Sequence, residues 1–311
     1  MAPPSRTIVS LLPAATEMAF ALGLGDQVRA VSHECDYPSG VGSLPRITRP
    51  ALKLEGLSQA QIDQAVSDRL ATGASLYEID EILLRRLAPD LILTQNLCAV
   101  CAPSDLELGP LAAGLDPAPE VLAFSPSSIA DIFENLDRLG RSTGTLTAAQ
   151  AVTARAQQRL EAMSSLLSDG VPRTRAVFLE WVDPVYGAGH WVPEMVQLAG
   201  GFDPLGRPGV DSVRTDWEDV LQAAPEVLIL SPCGLNLSRA LEEGRALFRR
   251  PGWDGLPAVR SGRVFAVDAN AYFARPGPRV SEGVELLAHL LHPELVDWRG
   301  PADAFAPLGH A

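Results

Sequence analysis

The sequence predicts an α/β fold with two lobes, each a mainly parallel sheet flanked by helices, joined by one long linker helix. Two observations support this prediction. Short apolar runs alternate with helical patterns in both halves of the chain, which is typical of strands buried on both faces of a parallel sheet. Between the halves, a stretch rich in Ala, Gln, Arg and Leu runs from Leu146 to Leu167 without Gly or Pro, as expected of a continuous helix.

The first lobe is predicted over residues 1–142, with a mostly helical insert at about 51–80. Its strand-length apolar runs are Thr7–Leu12, Val28–Ser32, Asp90–Thr94 and Glu120–Phe124. Thr16 follows the first run and is a candidate N-cap for the next helix. The linker helix is predicted within residues 143–170.

The second lobe is predicted over residues 171–298, where the alternation restarts. Strands are predicted at Arg175–Glu180, Val227–Leu230 and Val264–Val267, and helices at Pro193–Leu198, Thr215–Ala223 and Ser281–Leu291. Residues 299–311 are expected to form a loose tail.

Composition excludes some classes of function. The net charge is −13, from 25 basic and 38 acidic residues, which disfavours a nucleic-acid-binding protein. The first residues show no charged region followed by an apolar segment of about 7–15 residues. The chain as written is therefore expected to be cytoplasmic, or periplasmic or at the cell surface if its start is truncated. In the cytoplasm, its four cysteines are expected to be thiols or metal ligands.

The scarce chemical side chains are concentrated directly after the predicted strands. These segments hold all four Cys, two of the five His, two of the five Trp and three of the four Tyr. Open α/β sheets bind ligands beyond the carboxyl ends of their strands. A binding cleft between the two lobes is therefore expected.

Several segments in order along the chain resemble the helical-backbone substrate-binding proteins that serve ABC importers of vitamin B12 and iron siderophores. The resemblance lies in Ser10–Glu17, Asp36–Pro38, Pro89–Leu93, Ala224–Leu230 and Phe273–Arg279. The second and last of these segments are most similar to the cobalamin-binding members. The resemblance implies a two-lobed clamp that binds a corrinoid, such as cobalamin or cobinamide, without chemistry, and an ABC permease as its partner.

The candidate ligand-binding residues come from the strand ends and from this resemblance. Aromatic rings there are expected to pack on a large flat ligand, and Arg49 and Arg275 to hydrogen-bond its propionamide or phosphate groups. His190 is a candidate cobalt ligand, because imidazole suits first-row metals. The full set is Pro13, Ala14, Tyr37, Arg49, Gln95, Asn96, Trp181, Tyr186, His190, Trp191, Cys233, Tyr272, Phe273 and Arg275.

The chain also departs from the pattern of the cobalamin-binding members. Gln95 and Asn96 stand where those members supply an aromatic side chain, and Ala271 stands where they have an acidic one. Family members dock on the permease through one surface glutamate in each lobe. The resemblance makes Glu218 the candidate in the second lobe and Glu78 or Glu81 the candidate in the first.

A Cys/His set in the first lobe leaves other functions open. His33, Cys35, Cys98 and Cys101 supply the side chains of a tetrahedral zinc site, and Cys98 and Cys101 alternatively form a disulfide. The same thiols would suit a thiol-dependent, corrinoid-handling enzyme, and a protein that binds a metal chelate such as a siderophore or haem is a further alternative. Common catalytic motifs, including G-x-S-x-G and H-E-x-x-H, are missing. A binding protein is therefore favoured over an enzyme.

Overall fold

The computed structural model describes residues 5–96, 103, 105–168 and 170–309. The chain divides into two compact units. The first contains Met1–Leu57, Gln61–Pro126 and Ala130–Ala154, and the second contains Ser58–Ala60, Ser127–Ile129 and Arg155–Ala311. Each unit holds its own mainly parallel sheet with helices, which confirms the predicted fold class.

The first unit is built on a four-stranded sheet of order β2-β1-β5-β6, in which all neighbours are parallel. A separate antiparallel pair, β3 and β4, flanks the helical insert. The strands are β1 (Ile8–Ser10), β2 (Val28–Val31), β3 (Thr48–Pro50), β4 (Tyr77–Ile79), β5 (Leu91–Gln95) and β6 (Glu120–Phe124). The helices are α1 (Pro13–Ala21), α2 (Gln59–Ala71), α3 (Glu81–Leu87), α4 (Asp105–Ala113), α5 (Ile129–Thr143) and α6 (Leu146–Leu166). The first residues of α2 and α5 and the last part of α6 belong to the second unit.

The start of α1 differs from the prediction. The helix begins at Pro13, because proline is well suited to the first helical position, where its missing N–H costs nothing. Thr16 lies inside the helix rather than at its cap. Its hydroxyl lies 2.9 Å from Ser10 Oγ and 3.2 Å from the carbonyl oxygen of Leu12.

The second unit is built on a sheet of order β12-β11-β10-β7-β8, with the short strand β9 paired to the start of β7. The three central strands are parallel, and the two outer strands of this order are antiparallel to their neighbours. The strands are β7 (Thr174–Val182), β8 (Val185–Gly187), β9 (Gly201–Phe202), β10 (Val227–Leu230), β11 (Val264–Val267) and β12 (Phe305–Pro307). The helices are α7 (Val192–Leu198), α8 (Trp217–Ala223), α9 (Leu237–Gly244), α10 (Pro257–Arg260), α11 (Ala269–Tyr272) and α12 (Val280–Leu291).

The core of the second unit lies against the central strands. Val177, Leu179, Leu228 and Leu230 are each fully buried there, as expected of parallel strands covered on both faces. No helix in the described part of the chain combines the length and apolar character needed to cross a bilayer.

The expectation of a loose tail over residues 299–311 is wrong for its central part. Residues 305–307 form β12, which pairs antiparallel with β11. The neighbouring Leu308 belongs to the core of the second unit, and its backbone N–H donates to the carbonyl of Val264 at 2.8 Å. The segment therefore completes one edge of the sheet and covers apolar surface.

We expect Leu308→Ala to lower the free energy of unfolding by about 2–3 kcal/mol, because a buried leucine loses its packing and leaves a cavity. Leu295→Ala is the matched control, since Leu295 is 45% exposed and should change stability by less than about 1 kcal/mol. Urea unfolding followed by circular dichroism measures both. Equal, small effects at the two positions would contradict the assignment of Leu308 to the core.

Candidate functional site

The candidate site lies at the carboxyl end of β7 in the second unit. β7 pairs with β10 as far as Leu179 and Leu230 and then continues through Val182. On its other side, this extension pairs with β8, where Trp181 lies opposite Tyr186. The end of β7 therefore reaches past its neighbour β10, at the edge where open α/β sheets bind ligands.

Two segments beyond this edge, residues 187–191 and 207–214, are held together by backbone hydrogen bonds; we refer to them as the paired loops. The N–H of His190 donates to Val210 O at 2.7 Å, and the N–H of Gly209 donates to His190 O at 2.9 Å. At Gly189 a Cβ would lie 2.4 Å from the backbone nitrogen of Ser212. Only glycine fits this approach of one backbone to the other.

The side chain of Glu180 ties the paired loops to β7. One carboxyl oxygen accepts the backbone N–H of Gly189 at 3.0 Å, and the other accepts the hydroxyl of Ser212. Burial raises the pKa of Glu180 to about 7. The two hydrogen bonds oppose this shift, and the charge of Asp203 adds a smaller upward contribution. Burial likewise raises the pKa of Asp203 to about 6.

His190 is fixed by the paired loops. Its φ is +51°, a region that residues other than glycine rarely adopt and that is frequent at functional sites. Its Nε2 lies 3.1 Å from Asp211 Oδ1, and the two rings of His190 and Trp191 have centroids 5.6 Å apart. With Nε2–H donating to the carboxylate, the lone pair of Nδ1 is the one left for a metal.

Three further predicted residues lie at the same edge. Tyr186 accepts a hydrogen bond from Arg214 Nε at 2.9 Å, and the guanidinium lies 5.8 Å from the centre of its ring. Cys233 is exposed, and its backbone N–H donates to Glu180 O at 3.1 Å. The buried indole N–H of Trp181 has no hydrogen-bond partner in the part of the chain that the structure describes. The structure therefore brings Trp181, Tyr186, His190 and Cys233 to one edge of the sheet.

Three other predicted aromatic residues are used for packing instead. Trp191 Nε1 donates to Phe273 O at 3.0 Å, and Phe273 is 1% exposed, with its ring 5.2 Å from that of Phe178. Tyr272 is buried next to Phe273 and contacts Trp298 edge-on. Trp191, Tyr272 and Phe273 are therefore packed within their own unit, and the expectation that they cover a ligand stays a prediction. Arg275 follows Phe273 by two residues and is half-buried.

The candidate residues of the first unit differ in exposure. Pro13 and Ala14 are buried in the first turn of α1. Gln95 ends β5 and is buried, and no described residue partners its Nε2. Asn96 is exposed, and its backbone N–H donates to Phe124 O at 3.0 Å. Tyr37 is 46% exposed.

The glutamates proposed to dock on a permease all lie on the surface. Glu78 forms an ion pair with the candidate ligand residue Arg49 at 2.6 Å, and Glu81 forms one with Arg85 at 3.5 Å. Glu218 is exposed in the first turn of α8. Their role in docking stays a prediction.

The zinc hypothesis finds no support in the described residues. Cys98 and Cys101 lie outside them. Cys35 is 1% exposed with its Sγ 3.2 Å from Thr16 Oγ1, and His33 Nδ1 lies 2.8 Å from Thr48 Oγ1. Burial, with a smaller contribution from Arg46, lowers the pKa of His33. Within the described ranges, no three His, Cys, Asp or Glu side chains are grouped so as to hold a metal ion.

Sequence reasoning missed Glu180, Asp211 and Ser212. Glu180 and Ser212 are 32 residues apart, and a spacing of this kind carries no signal in a single sequence. The Gly-rich turn before His190 was the one available indication that the backbone is crowded there.

The buried carboxyl of Glu180 predicts a stability that depends on pH. Its pKa of about 7 in the folded chain exceeds the ordinary value of 4.5, so the folded state binds more protons than the unfolded state between these values. The free energy of unfolding should therefore fall by about 2 kcal/mol on this account from pH 5 to pH 8.

Urea unfolding at several pH values measures this slope. Glu180→Gln keeps an acceptor for Gly189 and a donor for Ser212 but cannot ionise, so the part of the slope due to residue 180 should vanish. The smaller contribution of Asp203, lower in pH, should remain. Identical slopes in the two proteins would show that Glu180 does not titrate as described.

Two curated proteins are similar to the chain over nearly its whole length. A vitamin B12-binding protein of Vibrio cholerae is 27% identical over 285 residues, which cover 91% of this chain and 87% of that protein. An uncharacterized ABC transporter substrate-binding lipoprotein of Bacillus subtilis, YvrC, is 25% identical over 302 residues, covering 93% and 81% respectively. These relatives are binding proteins rather than enzymes.

A solved structure shows the same fold. The periplasmic heme-binding protein HutB of Vibrio cholerae superposes with a TM-score of 0.68 at 21% identity, covering 92% of this chain and 98% of that one. This likeness supports the two-unit α/β architecture.

These relationships also correct the expected location. The expectation of a cytoplasmic protein is wrong, because the family model that matches the chain is described as periplasmic binding protein and one relative is named as a lipoprotein. That expectation rested on the first few residues alone, whereas the similarity covers nine-tenths of the chain. The model of the family described as periplasmic binding protein matches residues 8–271, and the chain is a member of that family.

Proposed function

We propose that the chain binds a corrinoid, either cobalamin or a precursor such as cobinamide, for uptake through an ABC permease. The observation that carries the proposal is the setting of His190. Its ring is held by Asp211 through Nε2 at 3.1 Å, which leaves Nδ1 as a ligand for cobalt.

The surroundings of His190 suit a large, flat ligand. Trp181 and Tyr186 lie opposite each other at the end of β7 and β8, and aromatic side chains supply large apolar contact areas. Similarity to a vitamin B12-binding protein over 91% of the chain supports the choice of a corrinoid. An ABC permease as partner is supported by the relative named as an ABC transporter substrate-binding lipoprotein.

Haem is the second candidate ligand. A neutral imidazole also suits haem iron, so the geometry of His190 serves both metals. The structural neighbour HutB is named as a heme-binding protein. The two ligands therefore have to be compared in one experiment.

Titration of the purified protein with hydroxocobalamin, cobinamide and hemin tests the proposal. We expect calorimetry to give micromolar or tighter binding for the corrinoids. The visible spectrum of hydroxocobalamin should shift as imidazole replaces the water on cobalt. His190→Ala should abolish the shift and weaken binding at least tenfold, since a coordinate bond is lost.

His289→Ala is the matched control, because His289 Nδ1 bonds the carbonyl of Val296 within the fold and should not affect the shift. Corrinoid binding without a spectral shift would discard cobalt coordination by His190. Binding of hemin alone would replace the corrinoid proposal by haem.

A further inference from the structure

Three buried hydrogen-bond donors around the end of β7 have no partner among the described residues. They are Gln59 Nε2, Trp181 Nε1 and Ser231 Oγ. The Oε1 of Gln59 accepts the backbone N–H of Val182 at 2.7 Å and of Asp183 at 3.3 Å. Ser231 follows β10, and its N–H donates to Leu179 O at 2.9 Å. Each donor therefore belongs to a residue that lies in the segment 179–183 or is hydrogen-bonded to its backbone.

The chemistry of these groups fixes what they would bind. The two backbone N–H groups that point to Gln59 Oε1 identify the other amide atom as nitrogen, which can only donate. The indole N–H of Trp181 also can only donate, and the Ser231 hydroxyl can donate as well. Buried polar groups are almost always hydrogen-bonded in native structures. A group that satisfies these three must be an acceptor.

The charges near this stretch favour a neutral acceptor. Glu180 precedes Trp181, and Asp183 follows it by two residues and is paired with Arg250 at 3.0 Å. The negative charge of Asp203 also disfavours the charged form of Glu180. A ligand carboxylate would bring one more negative charge beside these acids, which is unfavourable at low dielectric. The carbonyl of an amide accepts the same hydrogen bonds without that cost.

We infer that Gln59, Trp181 and Ser231 form a subsite for an uncharged carbonyl group, which selects a ligand with carboxamide side chains over one with carboxylates. The inference rests on the proposed function, and it separates the two candidate ligands. Corrinoids carry carboxamide side chains around the ring, whereas haem carries two propionates.

A matched pair of ligands tests the selectivity. Cyanocobalamin and its monocarboxylic acid derivatives, in which one propionamide is hydrolysed, differ by a single amide. We expect at least one of the separated acid isomers to bind about tenfold more weakly than cyanocobalamin in calorimetry at pH 7.5, as for the loss of one buried hydrogen bond.

Two variants test the residues. Trp181→Phe keeps an aromatic ring but removes the N–H, and Ser231→Ala removes the hydroxyl. Each should weaken cyanocobalamin binding about tenfold. Trp217→Phe is the matched control, because its indole N–H donates to Pro251 O at 2.8 Å and lies outside the subsite, so binding should not change.

Thermal unfolding without ligand provides a second readout. Because the Ser231 hydroxyl has no partner within residues 5–96, 103, 105–168 and 170–309, Ser231→Ala should unfold at the same or a higher temperature than the unmodified protein. A lower unfolding temperature would show that the hydroxyl serves the fold and would overturn its role as a reserved donor.

These experiments distinguish a failure of the proposed function from a failure of the subsite. If the protein binds no corrinoid at all, the proposed function fails and the inference falls with it. If cyanocobalamin binds tightly but all acid isomers bind equally well and both variants match the unmodified protein, the function stands and the subsite is wrong.

Discussion

The parallel pairing of β7 with β10 determines where the chemistry of the second unit lies. This pairing ends at Leu179 and Leu230, and the three residues of β7 beyond it no longer have a strand on that side. Their backbone is satisfied by other groups instead: Cys233 N–H bonds Glu180 O, and Gln59 accepts from Val182. Because backbone groups rarely stay unpaired when buried, this extension gathers side chains from distant parts of the chain.

The carboxyl group of Glu180 ties the paired loops to β7, although its own burial is unfavourable. Burying an acid is unfavourable unless hydrogen bonds compensate, and the bonds from Gly189 and Ser212 supply that compensation. The paired loops hold the backbone of His190 at a positive φ that residues other than glycine rarely adopt. The strain at His190 and the burial of Glu180 thus have one structural cause, the close approach of the paired loops.

The sequence predicted the strands well where apolar runs were continuous; Glu120–Phe124, Val227–Leu230 and Val264–Val267 have the bounds expected. The sequence did not predict β12. The three residues of this strand lie in no long apolar run, and they form a strand because they pair with the free edge of β11. Trp191 and Phe273 show the limit for sites. An aromatic residue after a strand suits a ligand or a core equally well, and the contact between Trp191 and Phe273 O decides for packing. Trp181 lies near the end of β7, Tyr186 in β8 and His190 just beyond β8, so the three predicted residues share one edge of the sheet, and their role in binding stays a prediction.

The fit of Gly189 against the neighbouring backbone has a consequence for engineering. The three atoms nearest to a Cβ at this position are all main-chain atoms, of Ser212, Val210 and Asp211, and the main chain cannot move aside as a flexible side chain can. In protein engineering, the two paired loops should therefore be exchanged together. A graft that replaces residues 187–191 from a relative without replacing residues 207–214 would separate them, and a library aimed at new ligands should recombine both segments as one unit.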